Sequence, residues 1–411
     1  MKLLDYAMSR FVQAGTLRII DADGRLHTYA GSPEPSVTIR LNDRKLYTAL
    51  VVNPQLSAGE AYMDGTLVIE EGTLRDFLDL YMANRGNMPK LPGQRILRKF
   101  VKTIAKPFKR NTAVKSRQNV THHYDMSNEL YSLFLDVDLN YSCAYFRDPS
   151  DTLETAQRNK LRHIAAKLDL KPGQRVLDIG SGWGSMAMYL AEAASVDVTG
   201  VTLSVEQQAL ATKRAAERGL SDRVRFELID YRAVTGSFDR IVSVGMFEHV
   251  GVAHYGEFFA KLASLLTDDG VALLHSIGRK SGPGSTSTWI QKYIFPGGYS
   301  PSLSETMAAI EGSRLWVTDV EIWRLHYAHT LAEWERRFQA NRPRIAALLD
   351  ERFCRMWEFY LVTSEFSFRH LKHLVFQIQL TKSLETLPID RDYMTKTEAT
   401  LPLRFPSDAK S

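Results

Sequence analysis

The stretch Val176-Leu-Asp-Ile-Gly-Ser-Gly-Trp-Gly184 joins a short apolar run to three glycines at alternate positions. An apolar run of this length, bounded by glycine, reads as a buried strand. The glycines read as a tight turn that lets a ligand approach the backbone before a helix begins. Working outward, similar runs recur at Asp197-Val-Thr-Gly-Val201, Arg223-Val-Arg-Phe-Glu227, Asp239-Arg-Ile-Val-Ser-Val244 and Gly270-Val-Ala-Leu-Leu-His275, with helical stretches between them. Such alternation builds a parallel sheet covered by helices, whose ligands sit beyond the carboxyl ends of the strands. The expected fold is therefore α/β, a Rossmann-like doubly wound sheet. A helical pattern from Thr330 to Leu371 interrupts the alternation before a strand returns at Leu374–Leu380, so these helices are expected as a cap on the sheet.

Ahead of this region, Thr16-Leu-Arg-Ile-Ile20 and Ser36-Val-Thr-Ile-Arg40 alternate, and Leu74–Met82 has helical spacing, which together predict a small α+β domain. With 411 residues, 44% apolar and 24% charged, the chain is too long and too rich in core formers for a disordered or disulfide-stapled protein. Two cysteines, Cys143 and Cys354, leave no zinc quartet to propose, and His122 and His123 have no ligand spacing. No metal is expected. The first 17 residues interrupt their apolar positions with Asp5 and Arg10, unlike a leader or a membrane span.

The net charge of +5 is unevenly placed: no acidic residue lies between Asp79 and Asp125, while eleven Lys and Arg from Arg85 to Arg117 do. Within that stretch Ile96, Leu97, Phe100, Val101, Ile104 and Phe108 recur at helical spacing, and Pro107 ends the pattern. A basic amphipathic helix of this kind suits an anionic membrane surface. A solvated helix between domains is the plainer reading, and nucleic-acid binding lacks any accompanying motif. The expected organisation is an accessory lipid-binding domain at 1–85, a basic linker at 86–120, a catalytic domain at 121–390 and a tail at 391–411.

In the glycine cluster the third glycine comes one residue too early for a dinucleotide fingerprint, and Asp178 lies inside the strand end, two residues before the first glycine. This arrangement resembles motif I of the S-adenosylmethionine-dependent methyltransferases, whose cofactor has no pyrophosphate to cradle, and implies a class I methyltransferase core. Many such enzymes end the second strand on an acidic residue that holds the ribose hydroxyls. Here the chain reads Val201-Thr-Leu-Ser-Val-Glu-Gln207, so Thr202 or Gln207 is expected to take that role.

Further segments narrow the resemblance: His123-Tyr-Asp-Met-Ser-Asn128, Tyr141-Ser-Cys-Ala-Tyr145, Gly245-Met-Phe-Glu-His-Val-Gly251, Leu274-His-Ser-Ile-Gly278 and Tyr293-Ile-Phe-Pro-Gly297. With these the chain resembles the cyclopropane-fatty-acyl-phospholipid synthase family over nearly its whole length. Gly59-Glu-Ala-Tyr-Met-Asp-Gly65 looks like the N-terminal domain of the full-length phospholipid enzymes, unlike the shorter mycolic acid modifiers. Ser181 stands where the family loop usually has cysteine. Ser364 stands where some members carry a cysteine once proposed as nucleophile, so no covalent role is carried over.

The resemblance implies a cofactor site of Tyr141, Ser142, Asp178, Gly180, Ser181, Gly182, Trp183 and Gly184, with Thr202, Leu203, Ser204, Gln207, Asp230, Tyr231 and Arg232. It also implies a bound bicarbonate held by Cys143, Glu248, His275, the backbone of Ile277, and Tyr327. The partners it implies are unsaturated phospholipid at an anionic membrane surface and a second copy of the chain, with no nucleic acid. The implied location is cytoplasmic, peripheral to the inner face of the membrane.

Methyl transfer to an alkene explains these residue types. Attack by π electrons on an electrophilic methyl leaves a carbocation, which must be kept dry and stabilised, and aromatic faces do this at about 2 kcal/mol or more when desolvated. Tyr145, Phe247, Trp289, Tyr293, Phe295, Tyr299 and Trp323 are candidates, against plain core packing for most of them. A small anion suits the deprotonation, because a protein carboxylate could collapse onto the cation as an ester. Taken alone, Cys143 is an inert buried thiol and His275 a structural histidine; only their neighbours raise them to site candidates, while His249 is left as structural. Two alternatives stay open: the same cation resolved to a methyl branch, and a lipid-binding protein with an idle methyltransferase fold, which intact Cys143, Glu248, His275 and Tyr327 oppose.

Overall fold

Alternation near the N-terminus builds β1 (Thr16–Ile20), β2 (Leu26–Ala30), β3 (Ser36–Leu41) and β4 (Leu67–Glu71), a sheet in the order β2-β1-β3-β4 with only β1 and β3 parallel. The computed structural model describes residues 1–87, 128–403 and Phe405. The expected linker beyond residue 87, its amphipathic helix, and His122 and His123 lie outside the described residues. The described residues fall into two units. One holds residues 1–87, Thr286–Pro296 and Glu335–Leu371; the other holds residues 128–285, Gly297–Trp334 and those from Lys372 onward.

In the first unit, Leu17, Ile19, Val37, Ile39 and Leu41 point into one core with Leu4, Phe11 and Leu80. The helix Leu74–Asn84 starts on a capping box in which Thr73 and Asp76 satisfy each other's backbone N–H groups. Helix Pro54–Met63 carries Gly59, where a Cβ would come within 2.5 Å of the Trp289 ring, so the glycine makes room for that indole. The helices expected as a cap do form between the strands, at His326–Ala340, Arg342–Leu348 and Glu351–His370. The last of them packs on Pro54–Met63 and Leu74–Asn84 within the first unit.

The second unit is a seven-stranded sheet of β5 (Arg175–Ile179), β6 (Asp197–Thr202), β7 (Val224–Leu228), β8 (Phe238–Val244), β9 (Leu266–Arg279), β10 (Trp316–Trp323) and β11 (His373–Thr381). Its order is β10-β11-β9-β8-β5-β6-β7; β5 to β9 run parallel, and β11 and β10 add on antiparallel. This is the α/β doubly wound fold that the alternation predicts. The pleat divides the apolar run of β5 between the two faces: Leu177 and Ile179 enter a core with Ile241 and Phe258, while Val176 enters one with Leu190 and Val198. Each such burial is worth about 1.5–3 kcal/mol relative to exposure. Strands β2, β4 and β10 are additions to the sequence reading. The expected C-terminal tail is instead the helix Asp392–Thr400 followed by fully buried Phe405, with the Tyr189 hydroxyl donating to the Pro402 carbonyl at 2.6 Å. None of the described helices is long and apolar enough to cross a membrane.

Candidate active site

The order of the sheet reverses at β5, where β6 lies on one side and β8 on the other, so the loops leaving their carboxyl ends part and open a crevice. The pocket there is lined by nearly the whole expected cofactor set: Tyr141, Ser142, Asp178, Gly180, Ser181, Gly182, Trp183, Thr202, Leu203, Gln207, Asp230, Tyr231 and Arg232. Gly184 and Ser204 are not in the lining. Gly184 caps the helix Ser185–Ala194 in left-handed backbone (φ +85°), where a Cβ would meet Phe226 at 2.5 Å. Ser204 caps the helix Val205–Glu217 by accepting from the Gln207 N–H at 3.2 Å. Both caps hold the helices that flank the pocket.

Gly182 differs from Gly184. It too is left-handed (φ +54°), but a Cβ built on it meets nothing within 4 Å and would project into open space. At the end of β5, Asp178 is buried and its Oδ2 has no hydrogen-bond partner; burial raises its carboxyl to about 7. Buried Ser181 Oγ is likewise unpartnered. Thr202 and Gln207, expected to replace the usual ribose acid, hydrogen-bond each other at 3.1 Å on the wall of the pocket. Orphaned polar atoms beside an open glycine cradle fit a ligand with an ammonium group and hydroxyls, as S-adenosylmethionine has.

Two titratable lining residues were missed. His249, read as structural, faces this pocket, and burial lowers its imidazole to about 4. Lys160, only 1% exposed, comes from the helix Leu153–Lys167. The sequence signal was there: Gln157, Lys160, Ile164 and Lys167 share one helical face that also carries Leu153 and Leu161, so polar residues stand at core positions.

The expected anion-holding set lies outside this pocket and is joined to it through residues 141–143. Tyr141 and Ser142 line the pocket, while Cys143 is fully buried and the Ala144 N–H donates to Thr330 Oγ1 at 3.0 Å. Thr330 lies one turn from Tyr327 on the same helix. Tyr327 packs edge-on to Trp334 (5.9 Å between centroids), which stacks on Tyr141 at 5.1 Å. At the end of β8, Glu248 Oε1 accepts from the Ile277 N–H at 2.6 Å, while its Oε2 is buried without a partner. Burial lifts this carboxyl to about 7, pushes the Cys143 thiol up and lowers His275 to about 3. Neutral His275 has a ring hydrogen to offer a small anion, Glu248 is only partly ionised near neutrality, and the Cys143 thiol keeps its hydrogen on the Ala144 carbonyl at 3.4 Å. The Ile277 N–H, however, is already engaged by Glu248.

Of the aromatic candidates, Trp323 touches this set, its ring 5.0 Å from that of His275 at 85°. Tyr145 packs on Trp323 at 4.7 Å. Phe247 is buried in the core against Tyr255, and Tyr299 binds Glu305. Trp289, Tyr293 and Phe295 belong to the first unit, where they pack on Phe359, bond Glu60 and pack on Tyr360, respectively.

Comparison with known proteins divides the chain by sequence, and the larger match runs through the segments Thr286–Pro296 and Glu335–Leu371 of the first unit. Residues 111–378 match the family model described as mycolic acid cyclopropane synthetase, and residues 7–90 match a domain of unknown function. The chain is 38% identical over 354 residues to a cyclopropane-fatty-acyl-phospholipid synthase of Escherichia coli strain K12, covering 84% of this chain and 88% of that one. It is 36% identical over 369 residues to the tuberculostearic acid methyltransferase UfaA1 of Mycobacterium tuberculosis, covering 86% and 84%. Among solved structures it is similar to the mycolic acid cyclopropane synthase CmaA1 complexed with SAH and CTAB, with a TM-score of 0.61 and 35% identity over 64% of this chain and 97% of that one.

Proposed function

The chain belongs to the mycolic acid cyclopropane synthetase family and is an S-adenosylmethionine-dependent methyltransferase, and from that premise we propose that it converts the cis double bond of unsaturated acyl chains in membrane phospholipids into a cyclopropane ring. The observation that carries this reading is the Glu248 carboxyl: one oxygen is fixed by the Ile277 N–H, two residues along β9 from neutral His275, and the other is buried without a hydrogen-bond partner.

When bound, S-adenosylmethionine supplies an electrophilic methyl on a sulfonium. The turn Gly180–Gly184 and Asp178 would hold it, with Thr202 and Gln207 at its hydroxyls. After the alkene takes the methyl, the acyl chain carries a cation, which aromatic groups suit; Trp323 is the candidate that touches the set, while Tyr145 is taken up by stacking on His163 and packing on Trp323. Ring closure then needs one proton removed from the added methyl. Glu248, His275, Cys143 and Tyr327 would hold a bicarbonate, which supplies a base for that proton. The eleven basic residues from Arg85 to Arg117 support docking on anionic bilayers, and the family resemblance supports a homodimer.

A second reading, favoured by the likeness to UfaA1, resolves the same cation by hydride shift and proton loss to a methylidene, which a separate hydride donor would later reduce to a methyl branch. Incubating purified protein with methyl-labelled cofactor and unsaturated phospholipid separates the two. Gain of one CH2 with the double bond consumed is the ring. Gain of CH2 with an olefinic carbon retained supports the branch, and no label in lipid overturns both.

A further inference from the structure

Lys160 is the least expected residue in the pocket wall. Its ammonium is buried, and its hydrogen bonds go to neutral oxygens, Asn140 Oδ1 at 3.0 Å and Ser142 Oγ at 2.8 Å. Among the described residues no carboxylate lies within ion-pair distance of it. Burying a cation without a counter-charge is costly, and such groups persist where a charged partner completes them.

The surrounding segment is built to keep this cation in place. Leu139 is held in left-handed backbone (φ +59°), a conformation costing on the order of 1–3 kcal/mol for a residue with a side chain. Asp136 fixes that turn by accepting from the Asn140 backbone and side-chain N–H groups at 2.8 and 2.7 Å. Gln157, one helical turn before Lys160, donates to the Ser142 carbonyl at 3.0 Å. Lys160, Ser142, Asn140 and Leu139 all face the same pocket as Asp178, whose Oδ2 is orphaned. The pocket thus carries one buried cation that no carboxylate touches, with Asp136, Asp138 and Asp178 acting on it only through space, and one unpartnered carboxylate oxygen.

We propose that Lys160, with the Ser142 hydroxyl, forms a carboxylate subsite in this pocket that anchors the amino-acid end of the cofactor, Asp178 taking the ammonium of the same zwitterion. The inference rests on the S-adenosylmethionine reading and deepens it by assigning the residue that neutralises the cofactor's carboxylate. It gives Lys160 a binding task that loop support alone would not require.

Calorimetry of two ligands on two proteins tests it. S-adenosylhomocysteine has the carboxylate, and its decarboxylated analogue does not. Wild type should bind the first about ten- to hundred-fold more tightly, the range of one charge-assisted hydrogen bond, and Lys160→Met should bind both equally. If Lys160→Met does not fold, Lys160→Gln keeps the donors without the charge and should also lose the preference. Equal affinities in wild type, or full preference retained in the variant, overturn the subsite. A variant that weakens both ligands by the same factor overturns it too, and marks Lys160 as structural. Should wild type bind neither ligand nor 5′-methylthioadenosine, the cofactor reading itself fails, and the subsite with it.

Discussion

Gln377 Nε2 lies 3.1 Å from His275 Nδ1, and the two residues stand directly opposite each other across the β9–β11 pair. With the amide donating, Nδ1 accepts and the ring hydrogen sits on Nε2. The strand pairing therefore sets the tautomer of a residue whose deep burial already keeps it neutral.

Replacing Gln377 by Leu keeps the volume and removes that donor. Both tautomers should then appear in nitrogen-15 NMR of the imidazole, and turnover should fall roughly ten-fold with cofactor affinity unchanged, the scale of one lost positioning hydrogen bond. A single unchanged tautomer would show that Gln377 does not set it.

The glycines at 182 and 184 should fail differently. Gly182→Val adds a side chain that meets no protein atom and fills the pocket, so S-adenosylhomocysteine binding should be lost while the melting transition stays cooperative. Gly184→Val drives its Cβ into Phe226 and should lose the fold itself. Calorimetry and thermal melts on both variants check the contrast, and unchanged affinity in a folded Gly182→Val protein would remove the turn from the site.

Glu248 makes stability depend on pH in a set direction. The folded protein holds its carboxyl near 7, above the ordinary value of 4.5, so the unfolded chain ionises first. Stability is fully present below the unfolded value and is lost as pH rises through the folded one. Glu248→Gln removes this titration, so relative to wild type the variant should gain up to roughly 3 kcal/mol between pH 4.5 and pH 8. Denaturant melts at both values measure it, and a gap that does not move with pH contradicts the buried assignment. Turnover should fall strongly in Glu248→Gln and less in Tyr327→Phe.

The basic stretch makes a salt-dependent prediction. Replacing Arg98, Lys99, Lys102 and Lys106 by Gln should reduce sedimentation with anionic vesicles and leave cofactor binding intact. The difference should shrink as salt rises, since screening acts over about 8 Å at 0.15 M. Equal sedimentation of both proteins at low salt would remove this segment from membrane docking.

What could be read from sequence follows what periodicity can carry. The buried strands β5, β8 and β9 each carry a short apolar run, and the glycine turn has a spacing of its own, so both were legible. Strand β10 was not, because it is the edge of the sheet and alternates irregularly between exposed Trp316 and buried Trp323, with Asp319 and Glu321 between them. His249 was misjudged for a related reason. It sits beside Glu248 in a short 3-10 turn, where no period says which side chain faces the pocket. Lys160 was hidden by its type, since lysine on a helix is ordinarily solvated and only the phase of its neighbours says otherwise.

The first unit is knit from three separated stretches of chain, and that has a consequence during synthesis. The helix Glu351–His370 packs on Pro54–Met63 and Leu74–Asn84, and Trp289 fills the notch at Gly59. A ribosome adding roughly 5–20 residues per second delivers the early helices on the order of tens of seconds before the late one. Through that interval Met63, Leu74 and Leu78 wait without their cover. The early part of this unit thus emerges before the catalytic sheet, yet the unit closes only after strands β5 to β10 have been made, with β11 alone of the sheet still to follow.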